Sequence, residues 1–138
     1  MELLDTFFMM FNYIRKIRPW DHTKYHAGNP TYQGITIGGQ TPQGRDASNE
    51  LSYLILEAVD EVRMPQPELK LRWFYGTPEI LLIKASEIAS KGFGMPAFLN
   101  DEIIVPALCN IGIRIEDARD YVHDGCVVPQ IPGKQFHR

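Results

Sequence analysis

Strand-type and helix-type patterns alternate from residue 69 to residue 121, with only short breaks between them. Nothing else restricts the fold as much. Leu69-Lys70-Leu71-Arg72-Trp73-Phe74-Tyr75 has period two, with Leu69, Leu71, Trp73 and Tyr75 on one face. Thr77-Pro78 reads as an N-cap followed by proline at the first helical position. That helix runs to about Lys91 and ends at Gly92. Gly94-Met95-Pro96 leads into a short strand, Ala97-Phe98-Leu99. Asn100-Asp101 opens a further helical segment, which Pro106 is expected to interrupt or restart, and which ends near Gly112. Residues 115–121 read as one more short helix. Strand, helix, strand, helix, then a loop or strand is a βαβ pattern. It implies an α/β fold of parallel strands joined by right-handed crossovers.

The N-terminal part supplies helices for such a sheet. Residues 2–18 carry Leu3, Leu4, Phe7, Phe8, Met10, Phe11, Ile14 and Ile17 at helical spacing. Glu2 and Asp5 at the start, and Arg15, Lys16 and Arg18 at the end, suit the helix dipole, and Pro19 is expected to stop the helix. Residues 19–45 are rich in glycine and proline and read as loop, with a short strand at residues 32–37. The run Gly38-Gly39-Gln40-Thr41-Pro42-Gln43-Gly44 precedes a helix, which makes a phosphate loop a candidate. It lacks the Gly-Lys-Ser/Thr ending and the G-x-G-x-x-G spacing. Asp46, expected to be the N-cap of the next helix, would also repel a phosphate. That helix continues to about Arg63, with Leu51, Leu54, Ile55, Ala58, Val59 and Val62 as its buried stripe.

Composition narrows the function classes. The chain has 138 residues, 44% of them hydrophobic, enough for one modest globular domain. A net charge of −3 without a basic stripe argues against a nucleic-acid partner. No apolar run is long enough to span a bilayer, and no secretory signal is present, so a cytoplasmic location is expected. The chain starts directly in an apolar helix and stops at Lys134-Gln135-Phe136-His137-Arg138, the pattern expected of a piece of something larger.

The chemistry centres on Asp120-Tyr121-Val122-His123-Asp124-Gly125-Cys126-Val127-Val128-Pro129-Gln130-Ile131-Pro132-Gly133. Here one cysteine sits in a stiff loop between Gly125 and Pro129. A buried small hydrophobe is the plain alternative for Cys126. A disulfide with Cys109 is possible on paper, but two cysteines make no disulfide framework. Zinc could recruit His123 and Cys126, yet only Cys109 and His137 are near enough in sequence to complete a site, and no second paired-ligand motif exists. A thiolate nucleophile would need a base such as His123.

Several motifs in register resemble one family, the glycyl radical enzymes, typified by pyruvate formate-lyase. They are Gly38-Gly39-Gln40 through Gly44-Arg45-Asp46-Ala47-Ser48-Asn49-Glu50-Leu51-Ser52-Tyr53-Leu54, Arg63-Met64-Pro65-Gln66-Pro67-Glu68-Leu69, and Thr77-Pro78. They continue with Gly92-Phe93-Gly94-Met95-Pro96-Ala97-Phe98-Leu99-Asn100-Asp101-Glu102, Glu116-Asp117-Ala118-Arg119-Asp120-Tyr121 and Gly125-Cys126-Val127. The resemblance implies a partial segment of a ten-stranded α/β barrel, with one half-barrel incomplete. Residues 1–138 would be a fragment of the pyruvate formate-lyase-like domain, with the glycyl radical domain absent, because no Arg-Val-x-Gly-Tyr-like motif occurs. By resemblance Cys126 becomes a thiyl radical. The glycyl radical belongs to a missing C-terminal part, and this segment binds no cofactor or metal. A small-molecule substrate, a radical S-adenosylmethionine activating enzyme and a homodimer of the full-length protein are implied as partners.

The departures from the family pattern discriminate within it. Pyruvate formate-lyase proper has two adjacent cysteines, whereas Gly125 precedes Cys126 here. The glycerol, propanediol and hydroxyproline dehydratases and choline trimethylamine-lyase carry Gly-Cys-Val-Glu, with the glutamate as base. This chain has Val128 at that place, followed by a dehydratase-like Pro129-Gln130-Ile131-Pro132-Gly133-Lys134. Three readings follow: another base such as His123, or Asp124 beside it; a reaction needing no base there; or an inactive member. A lyase or dehydratase reaction is expected. A formate C-acetyltransferase and a non-catalytic fragment are the alternatives.

Overall fold

Helix α1 (Glu2–Tyr13) and the short α2 (Trp20–His26) precede the first strand, β1 (Gly34–Gly38). Then come α3 (Glu50–Val62), β2 (Glu68–Trp73), α4 (Glu79–Ser90), β3 (Ala97–Asn100), α5 (Asp101–Asn110) and α6 (Ile115–Ala118). Strands β4 (Val122–Asp124) and β5 (Val128–Gln130) close the order. The structure is a computed structural model and describes residues 1–13, 19–26, 33–125 and 128–134.

Strands β1, β2 and β3 lie in that order and are parallel, with Ile35 opposite Leu69, Ile37 opposite Leu71, and Leu71 opposite Phe98. This is the βαβ arrangement expected. One face of the sheet is apolar. Ile37, Leu69 and Leu71 join Leu56, Ala58 and Val59 of α3, Leu81, Ala85 and Ile88 of α4, and Phe8 of α1 in a single buried cluster. Each aliphatic side chain buried there contributes about 1.5–3 kcal/mol. The other face presents Thr36, Lys70, Arg72 and Leu99, and the β4–β5 hairpin and Tyr121 cover it.

Several boundaries differ from expectation, each for a local reason. Pro19 stands at the head of α2, where its carbonyl accepts from His22 N at 3.0 Å. The stretch read as loop therefore contains a helix, while residues 14–18 and Tyr32 lie outside the described residues. The N-cap of α3 is Asn49, not Asp46. Asn49 Oδ1 accepts from Ser52 N, and Ser52 Oγ accepts from Asn49 N, both at 3.2 Å. Asp46 is occupied in the turn before, accepting from the amide and hydroxyl of Ser48.

Thr77 closes a turn by accepting from Phe74 N at 2.9 Å, which leaves Pro78 in the cap position of α4. Pro106 sits inside α5 without breaking it. It removes one intrahelical bond, and the buried Val105 and Leu108 on either side hold the helix in place. The helix expected over residues 115–121 ends at Ala118, because the carbonyls of Arg119 and Tyr121 are taken by a side chain from β2. Strand β2 ends at Trp73, and Tyr75, expected on its apolar face, is 90% exposed.

Candidate active site

The cysteine-bearing segment is a hairpin. Strands β4 and β5 pair antiparallel, with Val122 opposite Gln130, His123 opposite Pro129 and Asp124 opposite Val128. Gly125 follows at φ 53°, a left-handed value that suits glycine. Cys126 and Val127, the two residues between Gly125 and Val128, lie outside the described residues. The hairpin lies against the polar face of the sheet, where His123 N donates to Thr36 Oγ1 at 3.4 Å.

Side chains alternate across the hairpin. His123 turns towards the sheet and is 8% exposed, whereas Val122, Asp124 and Val128 are exposed on the opposite face. His123 Nδ1 is buried without a hydrogen-bond partner among the described residues. Burial holds the imidazole pKa below its ordinary value. The Lys70 ammonium acts in the same direction, against the weaker pull of the Gly125 backbone and Asp124. Lys70 is itself buried and paired with Glu68, Nζ to Oε2 at 3.0 Å. The docked position therefore favours the neutral form of the His123 imidazole.

A second buried group fixes the chain as it reaches β4. Arg72 of β2 makes a bidentate pair with Asp101, Nε to Oδ1 at 3.0 Å and Nη2 to Oδ2 at 2.7 Å. The same guanidinium donates to the Tyr121 carbonyl at 2.8 Å and the Arg119 carbonyl at 2.7 Å. It also lies 3.9 Å from the centre of the Tyr121 ring. The Tyr121 hydroxyl donates to Asp101 Oδ1 at 2.8 Å. Burial first, and the Asp101 carboxylate second, push the phenol well above its ordinary pKa, so it stays a proton donor to Asp101. Asp101 sits in the first turn of α5, where a carboxylate also suits the helix dipole.

Pattern reading missed Arg72, Asp101 and Tyr121. A signal was available: both faces of a parallel sheet are normally covered, so charges at residues 70 and 72 within a strand need partners. The glycine run weighed as a phosphate loop belongs to this group. A Cβ on Gly39 would stand 2.6 Å from Arg72 Cζ, and one on Gly44 would stand 3.0 Å from Arg119 Cζ. Those glycines make room for arginines. Of the zinc ligands weighed, Cys109 is half-buried against the Val105–Leu108 cluster, and Cys126 and His137 lie outside the described residues. No group of three or more metal-ligating side chains occurs among the described residues. No helix among them is long and apolar enough to cross a membrane.

A family model described as pyruvate formate lyase-like matches residues 1–137. The chain belongs to that family. Its relatives are glycyl radical enzymes. "Probable dehydratase YbiW" of Escherichia coli is 41% identical over 140 residues, covering 99% of this chain and 17% of that protein. The glycerol-bound B12-independent glycerol dehydratase of Clostridium butyricum superposes with a TM-score of 0.89 at 47% identity, over 96% of this chain and 17% of that one. A glycyl radical enzyme from Archaeoglobus fulgidus gives 0.87 at 36% identity, with the same coverage. The three parallel strands and their helices are thus a segment of a glycyl radical enzyme barrel, and the chain spans 17% of the length of these relatives.

Proposed function

We propose that this pyruvate formate lyase-like chain is the part of a glycyl radical lyase or dehydratase that carries the hydrogen-abstracting cysteine, Cys126. The observation supporting this is the docking of the hairpin. His123 against β1, and Arg72 holding the carbonyls of Arg119 and Tyr121, fix both the face and the approach of the segment leading to Gly125-Cys126. A sulfur radical needs such fixed positioning, because hydrogen transfer demands near-contact geometry. A glycyl radical in a domain outside residues 1–138, loaded by a radical S-adenosylmethionine enzyme, would supply the odd electron. Cys126 would then take a hydrogen atom from a small-molecule substrate and return it after the leaving group departs.

His123 is the acid–base candidate of the same hairpin, and its ring faces the sheet. The acetyltransferase alternative needs a second cysteine beside Cys126, and its neighbours are Gly125 and Val127. The full-length protein is expected to be a cytoplasmic homodimer, and residues 1–138 alone are expected to be inactive. The test is Cys126→Ala in the full-length, activated protein, offered glycerol, propanediol, hydroxyproline and choline. Glycyl radical content measured by electron paramagnetic resonance should be retained while turnover of every substrate is lost. Turnover within about tenfold of wild type would show that Cys126 is not the abstracting residue.

A further inference from the structure

We propose that the seam between β4 and the sheet is a proton-operated latch, in which protonation of His123 against the buried Lys70 ammonium releases the strand. The inference concerns residues 122–124 and the sheet beneath them, and makes no use of residue 126. Both ends of the hairpin segment are held away from this seam. Upstream, Arg72 binds the carbonyls of Arg119 and Tyr121. Downstream, Ile131 is buried and Lys134 pairs with Asp117. Between these anchors β4 is seated by the buried His123 side chain and by the bond from His123 N to Thr36 Oγ1, which at 3.4 Å is long. The middle of the segment can therefore lift while its ends stay fixed.

The floor under His123 is charged. Lys70 of β2 is 3% exposed, and its Nζ lies 3.0 Å from Glu68 Oε2. A Cβ on Gly34 would stand 3.1 Å from Lys70 Nζ and 3.7 Å from the His123 carbonyl oxygen. The bare glycine thus lets the ammonium lie beside the backbone of β4. Strands β1 and β5 carry no ionisable side chain. Arg72, the next cation along β2, is matched by Asp101 of α5, to which Tyr121 also donates. Asp124 of β4 is exposed on the opposite face. A neutral imidazole tolerates this floor, whereas a protonated one adds a second cation where little water screens it. Burial and Lys70 both oppose the proton, and the Gly125 backbone and Asp124 favour it less strongly. The undocked strand takes the proton at the ordinary value of about 6.5, and the docked strand only at lower pH. Docking stability is therefore complete above the ordinary value and is lost as pH falls below it. The latch makes the seating of the hairpin reversible with pH. The plain alternative is that burial alone sets the response and Lys70 serves only as a partner for Glu68.

Hydrogen–deuterium exchange of amides 122–124 in the full-length protein, at pH 7.5 and 5.5 and corrected for intrinsic rate, separates the two. The readout is the ratio of the two rates within each variant, from which a packing defect that speeds both rates cancels. Wild type should exchange severalfold faster at pH 5.5, with a ceiling of about tenfold because that pH is about one unit below the ordinary histidine value. Return to pH 7.5 should restore the slow rate. Lys70→Met should cut the ratio to less than about half of the wild-type one, and Lys70→Arg, which keeps the charge, should retain it. Glu68→Gln, which removes the counter-charge, should not lower it. A wild-type ratio below about twofold overturns the latch, and so does an equal acid response in α3, which marks general unfolding. A Lys70→Met ratio equal to that of wild type also overturns the proposal, because the ammonium then has no part in release. Turnover of Cys126→Ala tests the proposed function separately, so either reading can fail without the other.

Discussion

Asp101→Ala should loosen the cysteine hairpin far more than it loosens the rest of the chain. The substitution removes the acceptor of three hydrogen bonds, two from Arg72 and one from the Tyr121 hydroxyl. It also leaves the Arg72 guanidinium, 5% exposed, without its counter-charge. Removing one partner of a buried ion pair typically costs about 3–5 kcal/mol, because the remaining charge is uncompensated. The carbonyls of Arg119 and Tyr121 depend on that guanidinium, so the loss falls on the segment leading into β4.

Hydrogen–deuterium exchange of the backbone amides at residues 119–124, in the full-length protein, reads this directly. A loss of 3–5 kcal/mol in the local opening free energy accelerates exchange by roughly 10²–10⁴-fold. Amides of α3, which packs in the apolar cluster on the other sheet face, should change little. Arg72→Met combined with Asp101→Leu removes both charges and should cost at least about 1 kcal/mol less than the sum of the single substitutions. An acceleration below about tenfold at residues 119–124, or an equal one in α3, would refute the claim that this pair specifically holds the hairpin.

Two further outcomes follow from the same geometry. His123 has its pKa lowered by burial and by Lys70, so the docked hairpin prefers the neutral imidazole. As pH falls through the ordinary histidine value of about 6.5, the undocked state takes the proton first and docking stability is lost. Exchange at residues 122–124, corrected for intrinsic rate, should therefore accelerate between pH 7.5 and 5.5 in wild type and not in His123→Gln. Gly39→Ala should destabilise by about 1–3 kcal/mol more than Gly92→Ala in denaturant titration. Both glycines have positive φ, but a Cβ on Gly39 meets Arg72 and one on Gly92 meets nothing within 4 Å. Equal costs would mean that Arg72 moves aside freely.

The layer of strands and helices was legible because its signals are local. Alternation over residues 69–75, the Gly92 stop and the apolar stripe of α3 each depend on neighbours a few residues away. The caps slipped where two polar residues competed. Asp46 and Asn49 are both good N-caps, and only the Ser48 contacts of Asp46 decide between them. The interior face of the sheet was illegible for a different reason. The partners of Arg72 lie 29, 47 and 49 residues further on, at Asp101, Arg119 and Tyr121, and no periodicity links positions that far apart. For the site, Gly125 and Pro129 marked a break in the chain, while Cys126 itself lies outside the described residues. That His123 and Asp124 point in opposite directions needed the hairpin register, which the sequence alone does not fix.

The Arg72 contacts also order events in time. Ribosomal synthesis delivers β2 well before the residues whose carbonyls its arginine will hold, and those bonds close segments of 47 and 49 residues. Closing such a segment costs chain entropy that only the finished ion pair and ring contact offset. The three-stranded layer and α5 must therefore assemble before the hairpin has anything to dock on. The β4–β5 hairpin therefore acquires its place after the three-stranded layer, and a stalled nascent chain would carry residues 119–130 undocked.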